Sequence, residues 1–474
     1  MEIREGLSFD DVLLVPKRNT FGSRKNIELK SQLTKKIRLN LPIVSANMDT
    51  VTEAEMAIAM ANAGGIGIIH RFNTIDEEVE QVRKVKRKSS YIIKDPYTVT
   101  PDTTVEEIRK LIEEKGVSGF PVVSGRKLVG MVTRRDVKFA EPGKKAEEIM
   151  TPKRDLVVAY SYKKPTSKDF IDLFKKYKIE KIPIVDKHFN LVALVAAKDI
   201  EGLSNVQVSK SKDGTLLVGA AIGTKNDAVE RARRLIDAGA DVLVLDVAHG
   251  HSDSVIELLK RIKKEFDIEV IAGNVATKEG TEDLIVAGAD AVKVGIGPGH
   301  VCTTRLVAGV GVPQLSAIMD AYSTAKEYGV PIIGDGGINT SGDIVKALAA
   351  GASTVMIGSL FAGTDETPGY LIIRNNRKFK LFRGMSSVSA NIKKREIENS
   401  SFDPIEIVGE GIETFVPYKG SVSDILVQLA NGIRSGLSYC GARNIEELRR
   451  NAEFVKLAPG GRKESFERPI DSEL

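Results

Sequence analysis

A chain of 474 residues exceeds one ordinary domain and predicts two or three, with length enough to bury a sizeable core. It is 42% apolar and 28% charged, which excludes a disordered chain, and its net charge of +5 is small and dispersed. With 5% aromatic residues and basic runs no longer than "RKVKRK" (83–88), which read as solvated helix faces, no nucleic-acid partner is expected.

The opening "MEIREGLSFDDVLL" is charged and lacks the apolar core of a secretory signal. The longest apolar runs, such as "ADVLVLDVA", are too short to cross a bilayer, so no membrane association is expected. Only two cysteines occur, Cys302 and Cys440, and neither a disulfide framework nor a metal spacing is present. A reduced, cytoplasmic setting follows from that usage.

"PIVSANMDT" (42–50) and "GGIGIIHR" (64–71) read as two strands. From about 218 to 363 six further β-branched runs alternate with amphipathic helices that close on glycine: "LLVGAAI", "DVLVLDVA", "EVIAGNV", "AVKVGI", "PIIGDGG" and "STVMIGS". Polar and glycine residues follow the strand ends. Such βα units in series predict an α/β fold, a (β/α)8 TIM barrel with its site at the C-terminal strand ends.

The middle breaks the rhythm with an imperfect repeat, "GFPVVSGRKLVGMVTRRDV" echoed by "KIPIVDKHFNLVALVAAKDI". Phe120 and Ile182 lie 62 positions apart and Asp136 and Asp199 lie 63 apart, which puts one extra residue in the second copy, most simply in its turn. Each copy reads helix, strand, turn, strand, then a helix opening at Asp. The expected domains are a barrel in two parts, 1–89 and 203–474, around a paired module at 90–202. Residues 377–418 are polar and poor in periodicity and are expected to form a mobile flap. A helix over "SVSDILVQLANGIRSGLSYCGA" and a loop-like tail follow.

"GIGPGHVCTTR" (295–305) sets Cys302 among glycine, proline, histidine and threonine at a strand end. A free cysteine is more often buried and structural, but these neighbours are mostly not apolar, and they favour a nucleophile. Reactivity requires thiolate, hence a nearby donor or helix N-terminus, and Thr304 stands within reach. Cys440, at a helix end, reads as structural. Gly295, Gly297 and Gly299 let backbone approach a ligand or ion. "GDGGI" (334–338) and "IGS" (357–359) close successive strands, a pattern suited to phosphate. Asp335 among those glycines suits two ribose hydroxyls, or else forms a turn. Asp246 and Asn274 are strand-end polar groups, and Asp246 suits a carboxamide or ribose. Glu410, where the flap rejoins the barrel, is a candidate acid–base partner, an exposed surface Glu being the alternative.

Taken together, "FDDVLLVP", "MDTVTEAEMA", "GGIGIIH", "AGNVAT", "KVGIGPG.VCTTR", "GVGVPQLSA", "GDGGI", "RGM.S" and "VPYKG" resemble, in this order, the IMP dehydrogenase and GMP reductase family over almost the whole chain. The inserted pair resembles two CBS repeats. The resemblance implies a purine nucleoside monophosphate with C2 near Cys302, its phosphate on Gly337, Gly358 and Ser359, and its ribose on Asp335. It runs Met48, His300, Gly384, Met385 and Ser386 along the nucleotide, His300 standing where the family usually has Ser. A nicotinamide cofactor is implied near Asp246 and Asn274, and a potassium ion on the carbonyls of Gly297, Gly299 and Cys302. Thr304 and Glu410 match the family's proton-handling pair. In the CBS pair, "TRRD" supplies Thr133 and Asp136 for an adenine or guanine nucleotide, whereas "AAKD" keeps Asp199 but has Ala196 for the hydroxyl; a structural insert or subunit contact is the alternative. The family implies a homotetramer, with CBS modules able to stack tetramers into octamers.

Within the family the direction of reaction turns on the flap. A dehydrogenase hydrolyses its covalent intermediate with an arginine–tyrosine pair, which "GMSSVSANIKKREIENSSFDPIEIVGEGIE" lacks; Arg395 is followed by Glu396. "ANMDT" and "LFRGMSS" also resemble reductases, whereas "GEGIETFVPYKGSVSDILVQLANGIRSG" resembles dehydrogenases. The expectation is a GMP reductase using NADPH, with an NAD-dependent IMP dehydrogenase as the alternative, and a nucleotide-sensing regulatory protein as a third reading.

Overall fold

The computed structural model describes residues 3–89, 92–93, 96–163, 165, 167–197, 208–212, 214–397 and 408–465. It divides into two units, Met1–Lys86 with Gln207–Leu474, and Arg87–Val206.

In the first unit, eight short strands close a parallel barrel: β1 Ile43–Ser45, β2 Ile66–Ile69, β3 Val218–Ile222, β4 Val242–Asp246, β5 Glu269–Val275, β6 Ala291–Val294, β7 Ile332–Asp335 and β8 Thr354–Ile357. Strand β8 pairs back onto β1, Val355 opposite Ile43. The fold is the expected TIM barrel. Two-residue periodicity sorts the side chains. Val242, Val244, Ile271, Ala291 and Ile333 fill the barrel interior, while Leu243, Leu245, Val270, Val292 and Ile332 pack outward on the helices. The hairpin Ser31–Gln32 with Arg38–Leu39 adds Leu33 and Leu39 to the interior layer.

The same parity aims Asp246 and Asp335, in register with Val244 and Ile333, into the barrel mouth. Strand β5 carries a register shift between Gly273 and Val275. A bulge of this kind re-aims a side chain, and here it turns Asn274 inward.

Helix Ala54–Asn62 lies against β2 so closely that a Cβ on Gly67 would stand 2.5 Å from Ala57 Cα. Gly67→Ala is therefore expected to cost about 1–3 kcal/mol through overpacking. Denaturant unfolding checks this, and an unchanged midpoint would show that the helix shifts freely.

The second unit repeats one hairpin twice. Gly119–Ser124 pairs with Lys127–Thr133, and Lys181–Val185 with Leu191–Ala196. Phe120 faces Val132 and Ile182 faces Val195, so the extra residue of the second copy lies between its strands, as read from the sequence. The two turns pair with each other, Lys127 opposite Asn190. Each hairpin packs its own small core, around Phe120 and Phe170. The helix after the first hairpin starts at Arg134, not at Asp136: Thr133 is its N-cap and Asp136 its third residue, joined in a capping box.

Two stretches read as irregular contain regular elements. Residues 377–418 hold strands Arg377–Arg383 and Glu413–Pro417 and helix Val388–Ile397. Arg377–Arg383 forms a hairpin with Ile372–Arg374 through Asn375 and Asn376, both left-handed (φ 49° and 59°). Asparagine tolerates that conformation, which a two-residue hairpin turn requires, and this was the signal in the sequence. In the tail, Pro459 opens a helix to Glu464, its fixed φ suiting the first turn.

Candidate active site

The loop after β6 folds back so that Cys302 N donates to Gly299 O (3.1 Å). It is then clamped from the far side: Thr303 N donates to Glu410 O (2.9 Å), and Ile412 N to Val301 O (2.9 Å). Glu410 N in turn donates to Ser386 O (2.9 Å), and Gly384 N to Ile412 O (3.0 Å). The approach leaves no room for side chains, since a Cβ on Gly384 would meet Val301 O at 2.8 Å. Three chain segments far apart in sequence are thus sewn together around one thiol.

The consequence is a side-chain relay. Cys302 Sγ donates to Thr304 Oγ1 at 3.2 Å, and Thr304 Oγ1 donates to Glu410 Oε2 at 2.7 Å. A hydroxyl both accepts and donates, so a proton leaving the thiol has a continuous path to the carboxylate. The helix that follows, Thr304–Val307, is a single turn, too short for its dipole to be the main source of activation. Cys302 is half-buried. Cys440 is buried, and burial pushes its thiol pKa up. Brief alkylation of the folded chain is therefore expected to label Cys302 and spare Cys440. Peptide mapping before and after unfolding checks this; equal labelling would contradict it.

Every expected site residue of the barrel unit, from Met48 to Glu410, borders one cavity of about 370 Å³, within the range of small-ligand sites. Gly337, Gly358 and Ser359 lie at the ends of β7 and β8, beside Gly384, Met385 and Ser386. His300 borders the cavity but is exposed. Gly297 and Gly299 form the turn ahead of Cys302. Asp246 accepts from Arg71 Nε at 3.3 Å. Asn274 donates to Gly295 O (2.8 Å) and Asp335 Oδ2 (3.0 Å), so its carboxamide is engaged on the Asp335 side. In the other unit, Thr133 Oγ1 and N both donate to Asp136 Oδ2 at 2.7 Å. Asp199 lies outside the described residues.

Sequence reasoning missed three groups. Lys293, on β6, has a side chain only 3% exposed and donates to Asp335 Oδ2 at 2.7 Å and to Asn274 Oδ1. Arg71 follows β2 and borders the cavity. Arg383 clamps Asp49 through Nε (3.1 Å to Oδ2) and Nη2, tying the 384–386 segment to the loop after β1. Lys293 had a signal: a lysine inside an apolar barrel strand must find an internal partner. Among the described residues, no group of three or more His, Cys, Asp or Glu side chains is arranged to hold a metal ion.

The profile of the IMP dehydrogenase / GMP reductase domain matches residues 6–467. The chain belongs to the IMP dehydrogenase / GMP reductase family. It is 51% identical to inosine-5'-monophosphate dehydrogenase of Nitrosopumilus maritimus (strain SCM1), over 98% of both chains. It is 45% identical to GMP reductase of Leishmania major, over 97% of this chain and 96% of that one. A crystal structure of a cysteine-to-alanine variant of GMP reductase from Trypanosoma brucei, in complex with guanosine 5'-monophosphate, superposes with a TM-score of 0.94 at 44% identity, covering 99% of each chain. A second structure of that enzyme, in complex with guanosine 5'-triphosphate, gives 0.82 at 40% identity over 96% of this chain and 98% of that one. The family makes the chain a purine nucleotide oxidoreductase that works with a nicotinamide cofactor. No helix among the described residues is long and apolar enough to cross a membrane.

Proposed function

We propose that this chain is a GMP reductase, converting GMP and NADPH to IMP, ammonia and NADP through a covalent bond between Cys302 and purine C2. The observation that carries the reading is the Cys302–Thr304–Glu410 relay in a cavity whose described lining contains no tyrosine. Arginine in that lining is confined to Arg71, paired with Asp246. Hydrolysis of a thioimidate needs an activated water; deamination needs a proton for the departing amine, which this relay supplies.

The steps follow from the geometry. Glu410 takes the thiol proton through Thr304, and the thiolate forms the C2–S bond. The C2–N bond breaks, and the amine leaves with a proton returned along the same path. A reduced nicotinamide, when bound, supplies the hydride to C2. The C2–S bond then breaks with its electron pair returning to sulfur, which frees IMP. The nucleotide phosphate would rest on Gly337, Gly358 and Ser359, and the base on Gly384–Ser386. Asp246 and Arg71, lining the same cavity, fit a carboxamide and ribose. The carbonyls of Gly297, Gly299 and Cys302 suit a potassium ion; Gly299 O already accepts from Cys302 N, which leaves it one lone pair to offer.

Residues 90–202 are read as a CBS pair that binds an adenine or guanine nucleotide. The capping box gives Thr133 and Asp136 a structural role, and ribose binding would have to share Asp136. A homotetramer is proposed on family grounds. The second reading, an IMP dehydrogenase, is favoured by the 51% identity to a dehydrogenase against 45% to a reductase.

The test supplies GMP and NADPH to the whole chain. One ammonia per NADPH oxidised, with IMP as product, is expected. No NADPH oxidation under these conditions, with IMP and NAD turned over instead, would reverse the assignment.

A further inference from the structure

We infer that Lys293 is a positioning residue that presets Asp335 for the nucleotide ribose. The inference rests on the reading of Asp335 as the ribose acceptor.

Lys293 alternates with Val292 and Val294, which pack outward, so its side chain must enter the barrel. A buried ammonium without a partner would be prohibitive. Here it has two, Asp335 Oδ2 at 2.7 Å and Asn274 Oδ1. Asn274 closes the triangle by donating to the same Asp335 Oδ2 at 3.0 Å and to Gly295 O at 2.8 Å. The Asn274 carboxamide cannot flip, because a flip would set its NH2 against the ammonium and its oxygen against Asp335.

Both bonds fall on one carboxylate oxygen. That fixes the plane of the carboxyl group and leaves Oδ1 as the oxygen for a ligand. Asp335 has 21% of its side chain exposed, against 3% for Lys293, so the carboxylate faces the cavity and the lysine stands behind it. A hydroxyl donating to such a preset carboxylate forms a charge-assisted bond without reorganisation.

The test measures equilibrium binding of IMP and of 2'-deoxy-IMP and 3'-deoxy-IMP, which serve whichever direction the chain runs. The folded wild type is expected to favour IMP by roughly 10- to 100-fold, the span of a charged hydrogen bond. Lys293→Met and Lys293→Gln are expected to reduce that preference to about three-fold or less, and Lys293→Arg to recover part of it. The glutamine variant keeps the buried position polar, so a folded uncharged variant is at hand if methionine is not tolerated. A merely structural role for Lys293 would weaken all three ligands alike and leave their ratio unchanged, and that result would overturn the inference. Equal binding of the three ligands by wild type would instead remove the Asp335 reading on which it stands.

Discussion

Cys302→Ala is expected to abolish turnover of GMP, lowering kcat by at least about 10⁴-fold, while purine monophosphates still bind. The size follows from what the thiol does. In the proposed mechanism it is the atom that bonds to C2, and loss of a nucleophile in a covalent mechanism removes the pathway rather than tuning it. Binding is expected to survive because the proposed phosphate and ribose contacts come from the ends of β7 and β8, and the proposed base contacts from the 384–386 segment, all bordering the same cavity. The backbone bonds that clamp the loop, Thr303 N to Glu410 O and Ile412 N to Val301 O, do not involve the side chain. Serine at 302 is expected to fare no better, because an alcohol yields far less anion than a thiol at neutral pH. Steady-state rates beside calorimetric binding of GMP check both halves. A variant that retained a tenth of wild-type activity would remove the covalent mechanism.

Glu410→Gln is expected to lower kcat by about 10²- to 10⁴-fold, the usual reach of general acid–base catalysis, with little change in KM. Glutamine preserves shape and accepts from Thr304, but it cannot hold the proton. The main-chain contacts of residue 410 to Ser386 and Thr303 are unaltered. Thr304→Val interrupts the same path and is expected to give a similar loss. The double variant is then expected to fall little further than either single one, since both cut one relay. Additive losses would mean that Thr304 and Glu410 act separately.

The barrel was legible because its signals are local and redundant. Each β-branched run sits between amphipathic helices, and strand-end residues such as Asp246 and Asp335 inherit their position from the parity of their own strands. The internal repeat was legible to the single inserted residue. What was illegible depends on pairing across long sequence distances. The Arg383–Asp49 clamp joins residues 334 positions apart, and neither residue looks unusual by itself. Asn274, expected beside a cofactor, borders the cavity. Its role beside Asp335 arises from a bulge in β5, which periodicity alone does not reveal. The hairpin at Asn375–Asn376 is hard to read because polarity does not follow burial there: Ile372 and Ile373 are exposed, whereas Lys380 is buried on the partner strand.

The direction of the reaction is tested by the amount of NADH formed from IMP and NAD with potassium present, counted per active site. A reductase lacking a hydrolytic base can oxidise bound IMP once, after which the adduct on Cys302 waits. No more than one equivalent of NADH is expected, with the purine recovered on the peptide that carries Cys302. Linear NADH formation through hundreds of turnovers, with xanthosine monophosphate released, would contradict it.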